Sequence, residues 1–196
     1  MRSLVVALVA VLSMAASPVL AQATSSPFVD RFRTLCDAGE GDGPRALALA
    51  REEGWALLPS AMFESEDNPF EQVTAMMNAE PDGTLAILMT GTMIQDFEGT
   101  PMTMAVCGVM GGDIENGRPV SPDPTPIVRK WLAMTPSPDF SSDGREGYVF
   151  TRAGEDRREI TSEAATLQAV LNGEMHVIMA GTEEAMSMIL YMRPRL

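Results

Sequence analysis

The sequence predicts an α+β fold: an antiparallel sheet of hairpins with a methionine-rich face covered by helices. Three observations lead there. Apolar residues recur with a period of two in 84–94 (TLAILMTGTMI), 102–110 (MTMAVCGVM), 174–180 (EMHVIMA) and 185–192 (AMSMILYM). Between these lie capped stretches with apolar residues at helical spacing, and short turn-forming segments join neighbouring strands, so helices and hairpins alternate along one chain.

The chain opens with MRSLVVALVAVLSMAASPVLA, which has one basic residue, an apolar run over 4–16 and small residues before a cut. That is the pattern of a secretory signal peptide. The run falls short of the ~20 residues that cross a bilayer as a helix. Cleavage is expected after Ala21, with Ala23 as the alternative, and no cysteine follows either position to carry a lipid. The organisation expected is a leader over 1–21 and a single α+β domain over 22–196, exported to the periplasm or secreted.

After a short polar lead, Ser26 caps a helix over 27–36 with Pro27 at its first position. Phe28, Phe32, Leu35 and Cys36 form its stripe. DAGEGDG stops it, Pro44 starts a second helix that ends at Gly54, and Trp55, Leu57 and Leu58 are expected to turn into the core. A third helix is expected over 69–78. The hairpin 84–110 follows, with QDFEGTP as a loop longer than the tightest type. Then come a proline-rich span, a helix over 126–134, the hairpin GYVFTR–AGED–RREI, a helix started by Thr161 or Ser162 and stopped by Gly173, and the last hairpin over 174–192.

Alternate residues of a strand share a face. Met89, Met93, Met102, Met104, Met110, Met175, Met179, Met186, Met188 and Met192 therefore fall on one side of their strands, while Cys107, His176, Ser187 and Tyr191 fall on the other. Three readings of the methionine side stay open. Helices cover it and the thioethers fill irregular gaps; part of it is an open apolar groove for a hydrophobic ligand or an envelope protein; or MTM and MSM hold Cu(I), a soft ion suited to thioethers. The candidate ligand face comprises Met89, Met93, Met102, Met104, Met175, Met179, Met186 and Met188.

Cys36 and Cys107 are the two cysteines. In an oxidising compartment they are expected to form a disulfide on the side of the sheet opposite the methionines. Two free thiols or a metal pair are the alternatives, though no CxxC spacing supports a metal. His176 is the one histidine. If residues 180 and 185 pair, its diagonal neighbours are Ser187 and Tyr191, which leaves a hydrolase using His176 as an alternative. There is no GxSxG, HExxH, P-loop or GxGxxG pattern, so no catalytic residue, metal ligand or cofactor is assigned. The acidic turn with Asp37, Glu40 and Asp42 lacks EF-hand spacing and reads as a solvated loop, as does the stretch with Glu64, Glu66 and Asp67. A formal net charge of −13 disfavours nucleic acid and anionic membrane surfaces as partners.

The early helix ending in cysteine (FVDRFRTLC), the alanine-rich helix closing on Gly-Trp (ALALAREEGW) and the methionine-rich hairpins resemble small exported proteins of Gram-negative bacteria. The resemblance implies export but carries over no site residue. The sequence thus points to a non-enzymatic binding or interaction module, with periplasmic Cu(I) binding and hydrolysis as the alternatives, and leaves the oligomeric state undefined.

Overall fold

The computed structural model describes residues 26–65, 68–80, 83–97, 100–142 and 144–195. The expected leader and the acidic pair Glu66 and Asp67 lie outside them. The Ser26 hydroxyl accepts the Val29 amide at 3.2 Å, and helix α1 (Pro27–Phe32) runs from this cap. It continues as a π-helical turn, Arg33–Asp37, that carries Cys36. Asp42 caps α2 (Gly43–Glu52), which ends at Gly54, and Trp55 turns inward as expected. Leu57 does not: it sits exposed in β1 (Ala56–Leu57), a two-residue edge strand.

Residues 69–78 are not helical. They form β2 (Phe70–Ala79), paired with β1 on one side and with β3 (Leu85–Phe97) on the other. Glu71, Gln72, Ala75, Met76 and Met77 are good helix formers in isolation. Pairing along β3 outweighs that weak preference, because the alternative leaves a long apolar strand with an open edge. The hairpin of β3 with β4 (Thr100–Asp113) is longer and tighter than expected, since pairing continues out to Phe97 and Thr100.

After β4 the chain adds a two-residue strand, β5 (Arg118–Pro119), on the flank of β4, then α3 (Pro124–Leu132), capped by Asp123. β6 (Arg145–Ala153) and β7 (Asp156–Glu159) form the next hairpin. Helix α4 (Glu163–Leu171), capped by Ser162, leads to the last one, β8 (Met175–Glu183) and β9 (Met186–Pro194). The spatial order is β1-β2-β3-β4-β9-β8-β6-β7, antiparallel throughout, with β5 beside β4. The last hairpin is thus inserted between two earlier parts of the sheet. Both outer strands are short, and β7 reads Asp-Arg-Arg-Glu, so neither edge offers a long apolar template for another chain.

The expected α+β architecture is therefore present, and its two faces differ. α1, α2 and α3 pack on the Cys107 face, where Phe28, Phe32, Ala46, Ala50, Ile127 and Val128 meet Leu88, Val109, Ile178 and Tyr191. α4 alone among them lies on the methionine face, through Ala169 and Val170. Cys36 and Cys107 are joined, with Cα atoms 5.5 Å apart, on the side that strand parity predicts. The bridge ties the first helix to a central strand across 71 positions. A closed loop of that length stabilises by about 4 kcal/mol in the chain-entropy model. Replacing both cysteines with alanine is expected to lower the urea unfolding free energy by roughly that amount, and an unchanged urea midpoint would contradict it.

Candidate functional site

Cross-strand register settles where the methionines go. Met93 pairs with Met104, Ile87 with Met110, and Gln95 with Met102 between β3 and β4. Met110 then pairs with Met188 and Val106 with Met192 between β4 and β9, while Val177 faces Met192 and Met179 faces Leu190 between β9 and β8. Directly paired residues point to the same face, so all ten methionines of the sequence pattern stand on one side of the sheet. Met76 points to the other, since it pairs with Leu88.

Within this layer, Met89, Met104, Met175 and Met192 are buried, between 0% and 4% exposed. Met93, Met102, Met110, Met179, Met186 and Met188 are half-buried, and all of these except Met186 pack with Phe70, Val73, Phe140 and Ile160 around the buried centre. The layer is a filled core at its middle and an open apolar surface toward its rim. Cover comes from α4 and from the 3₁₀ turn Pro138–Phe140. The turn sits close because Gly147 carries no side chain: a Cβ there would lie 2.2 Å from the Phe140 carbonyl oxygen.

α4 covers the layer incompletely. Leu167 and Leu171 remain 48% and 66% exposed. A cavity of about 420 Å³ separates α4 from the outer end of β3, and Phe140, Leu167 and Val170 supply its apolar wall. Asp96, Asp139 and Glu163 line it too, together with Gln95, whose cross-strand partner is Met102.

His176 stands on the opposite face. The β8–β9 register places Glu183 opposite Met186 and Ala180 opposite Ile189, so the expected pairing of 180 with 185 does not form. In the true register the turn is tighter, and Ser187 is carried away from the imidazole. It pairs with Thr182, whose hydroxyl lies 3.0 Å from its own. Tyr191 keeps its place, with its hydroxyl 2.8 Å from His176 Nδ1, and Phe150 stacks on the ring. The serine-histidine constellation is not assembled. An imidazole on this face also cannot join thioethers on the other.

The acidic turn is only partly solvated. Asp37 is buried at 7% exposure and accepts from Arg152 at 2.9 Å and from Arg157 at 2.6 and 2.7 Å. Arg157 in turn lies over Trp131 and Phe150. Asp42 is the exposed α2 cap, and Glu40 sits 3.6 Å from Arg152. A buried pair of this kind contributes little over an apolar substitute, but removing one partner strands a charge. Its structural effect is to lock the π-helical turn onto the β6–β7 hairpin. Among the described residues, no group of three or more His, Cys, Asp or Glu side chains is placed to hold a metal ion.

No protein-family model matches the chain, and neither curated proteins nor solved structures show significant similarity to it. The chemistry of the site therefore rests on its own geometry.

Burial holds the His176 imidazole below its ordinary value, with Arg152, Arg193 and Arg157 adding to the effect against Glu40, and burial pushes the Tyr191 phenol up to about 12. Both groups are neutral near pH 7, and a single hydrogen bond joins the phenol oxygen and Nδ1. As pH falls, the unfolded chain takes up the imidazole proton first. The stability that comes from the neutral ring is thus complete above about pH 6.5 and is lost as pH drops through the lower folded value. The stability difference between the protein and His176→Gln should shrink from about pH 7 to about pH 5. A difference constant over that range, measured by urea unfolding, would contradict the burial of a neutral ring.

Proposed function

We propose that the protein is a non-catalytic binding module that takes an apolar ligand at the margin of its methionine layer, between α4 and the outer end of β3. The observation that carries this reading is the incomplete cover by α4, which leaves Leu167 half-exposed beside a cavity of about 420 Å³. That volume is within the range of small-molecule sites. Half-buried methionines next to it, Met102 above all, are unbranched and adapt to irregular shapes. Three carboxylates at the cavity set the ligand class further: they repel a fatty-acid or phosphate head and suit a neutral or cationic one.

The test uses N-phenyl-1-naphthylamine, a neutral apolar fluorophore. The expected result is saturable fluorescence enhancement, weakened about tenfold by Leu167→Asp, a change of roughly 1.4 kcal/mol. The unfolding midpoint should be nearly unchanged, because Leu167 is a surface residue. Binding that does not saturate, or that ignores this substitution, would overturn the reading.

Export is proposed on separate grounds, the 21-residue leader and the disulfide, which belongs in an oxidising compartment. The mass of the accumulated protein should correspond to a chain beginning at Gln22 or Thr24. A chain retaining Met1 would contradict export through this leader.

A further inference from the structure

On the face opposite the methionines, a cleft of about 600 Å³ lies at the N-terminal end of α2. The start of α2, the middle of β2, and the facing stretches of β3, β4 and β9 form its walls. Its floor is a cross-strand row: Thr92 pairs with Ala105, and Ala105 with Arg193. Arg195, just past the end of β9, also lines the cleft. From this geometry we propose that the cleft binds a small organic anion, with a carboxylate or phosphate head held by Arg193 and Arg195 and a compact body resting on Pro44, Leu47 and Ala105.

Three features argue that the cleft is a built site. The first is charge. The chain carries a formal net charge of −13, yet no carboxylate among the described residues lies within ion-pair distance of Arg193 or Arg195. Arg193 is half-buried. A guanidinium withdrawn from water without a partner is costly, and a bound carboxylate or phosphate relieves that cost through paired, charge-assisted hydrogen bonds. An overall acidic field excludes anions in general, so two arginines in one depression, with no carboxylate partner among the described residues, select a place for them.

The second is the backbone of the wall. β2 slips register between Glu71 and Thr74, and Gln72, which lines the cleft, adopts a positive φ of 52°. Such a conformation is rare and strained for a residue with a Cβ, and bulges are enriched beside functional sites. The third is the support beneath it. Thr90 Oγ1 donates to the Thr74 carbonyl and Thr92 Oγ1 to the Glu71 carbonyl, which satisfies oxygens on both sides of the bulge. Gly91 makes the bulge possible, since a Cβ there would lie 2.8 Å from the Glu71 oxygen.

The cleft volume fits a small molecule. Polymeric nucleic acid is not its occupant, because the remaining surface is acidic and a phosphate backbone needs an extended basic track. Asp42, the α2 cap, also faces the cleft and restricts the anion to the β9 side.

The experiment is calorimetric titration of the full mature protein with sodium benzoate and, separately, with inorganic phosphate, to about 10 mM, which reaches millimolar affinities. Saturable binding of benzoate alone assigns a carboxylate ligand, and of phosphate alone a phosphorylated one. Either should weaken about tenfold or more in Arg193→Gln and recover in part in Arg193→Lys. Arg158→Gln, on the exposed edge strand β7, should leave it unchanged. Absence of saturable binding by both anions would overturn the proposal, as would binding indifferent to Arg193→Gln. Leu167→Asp lies on the other face of the sheet and should not affect anion binding, so this result stands apart from that for the apolar ligand.

Discussion

Insertion of the C-terminal hairpin between β4 and β6 is the constraint on which the rest of the structure depends. Before β8 and β9 are in place, β1–β4 form one part of the sheet and β6–β7 another, and no strand pair links them. β8 and β9 supply both links, β9 to β4 and β8 to β6. They are buried on both faces: Val177, Ile178, Ala180, Ile189 and Tyr191 are fully inaccessible. Each large apolar side chain among them adds on the order of 1.5–3 kcal/mol to the folded state relative to exposure. The register of this hairpin also continues the methionine rows of β3 and β4 across the sheet, and it keeps Tyr191 against His176 while removing Ser187.

The two faces created in this way have different chemistry. The Cys107 face is rigid: a disulfide, three helices, and a chain of polar contacts from Asp37 through Arg152 and Arg157 to the Tyr191–His176 pair hold it. The methionine face is filled by long, unbranched side chains under one short helix. Rigid support on one side and adaptable packing on the other is a physical basis for binding on the second. The cleft at Arg193 belongs to the rigid side, where a strained bulge and its threonine hydrogen bonds can hold charged groups in place.

Much of this was legible in local sequence. Period-two alternation located two hairpins and the AGED turn a third, and parity alone put the methionines on one side and Cys107 on the other. Ser26 and Ser162 cap their helices as short polar residues before apolar stripes do, whereas Asp42, which reads as a residue of a solvated acidic turn, caps α2. What was not legible depends on partners far along the chain. β2 is made of helix formers and becomes a strand because β3 lies beside it. The partners of Asp37 are 115 and 120 positions away, so its burial leaves no local mark. The exact pairing of β8 with β9 was missed because GTEE reads as a loop, whereas the strands continue to Glu183 and Met186. The cleft at Arg193 requires β9 to lie beside β4 and β2 to bulge. The signal that points toward it is Gly91 between two threonines of an otherwise apolar strand.

The central claim is that strand register gathers the methionines on a face of their own. Methyl-labelled methionine in a nuclear Overhauser experiment tests it directly. The account predicts cross-strand contacts between the methyl groups of Met93 and Met104 and of Met110 and Met188, and none from these four to Phe32 or Trp131. Contacts from the same methyl groups to those two aromatic rings would place the methionines on the helical face and contradict it.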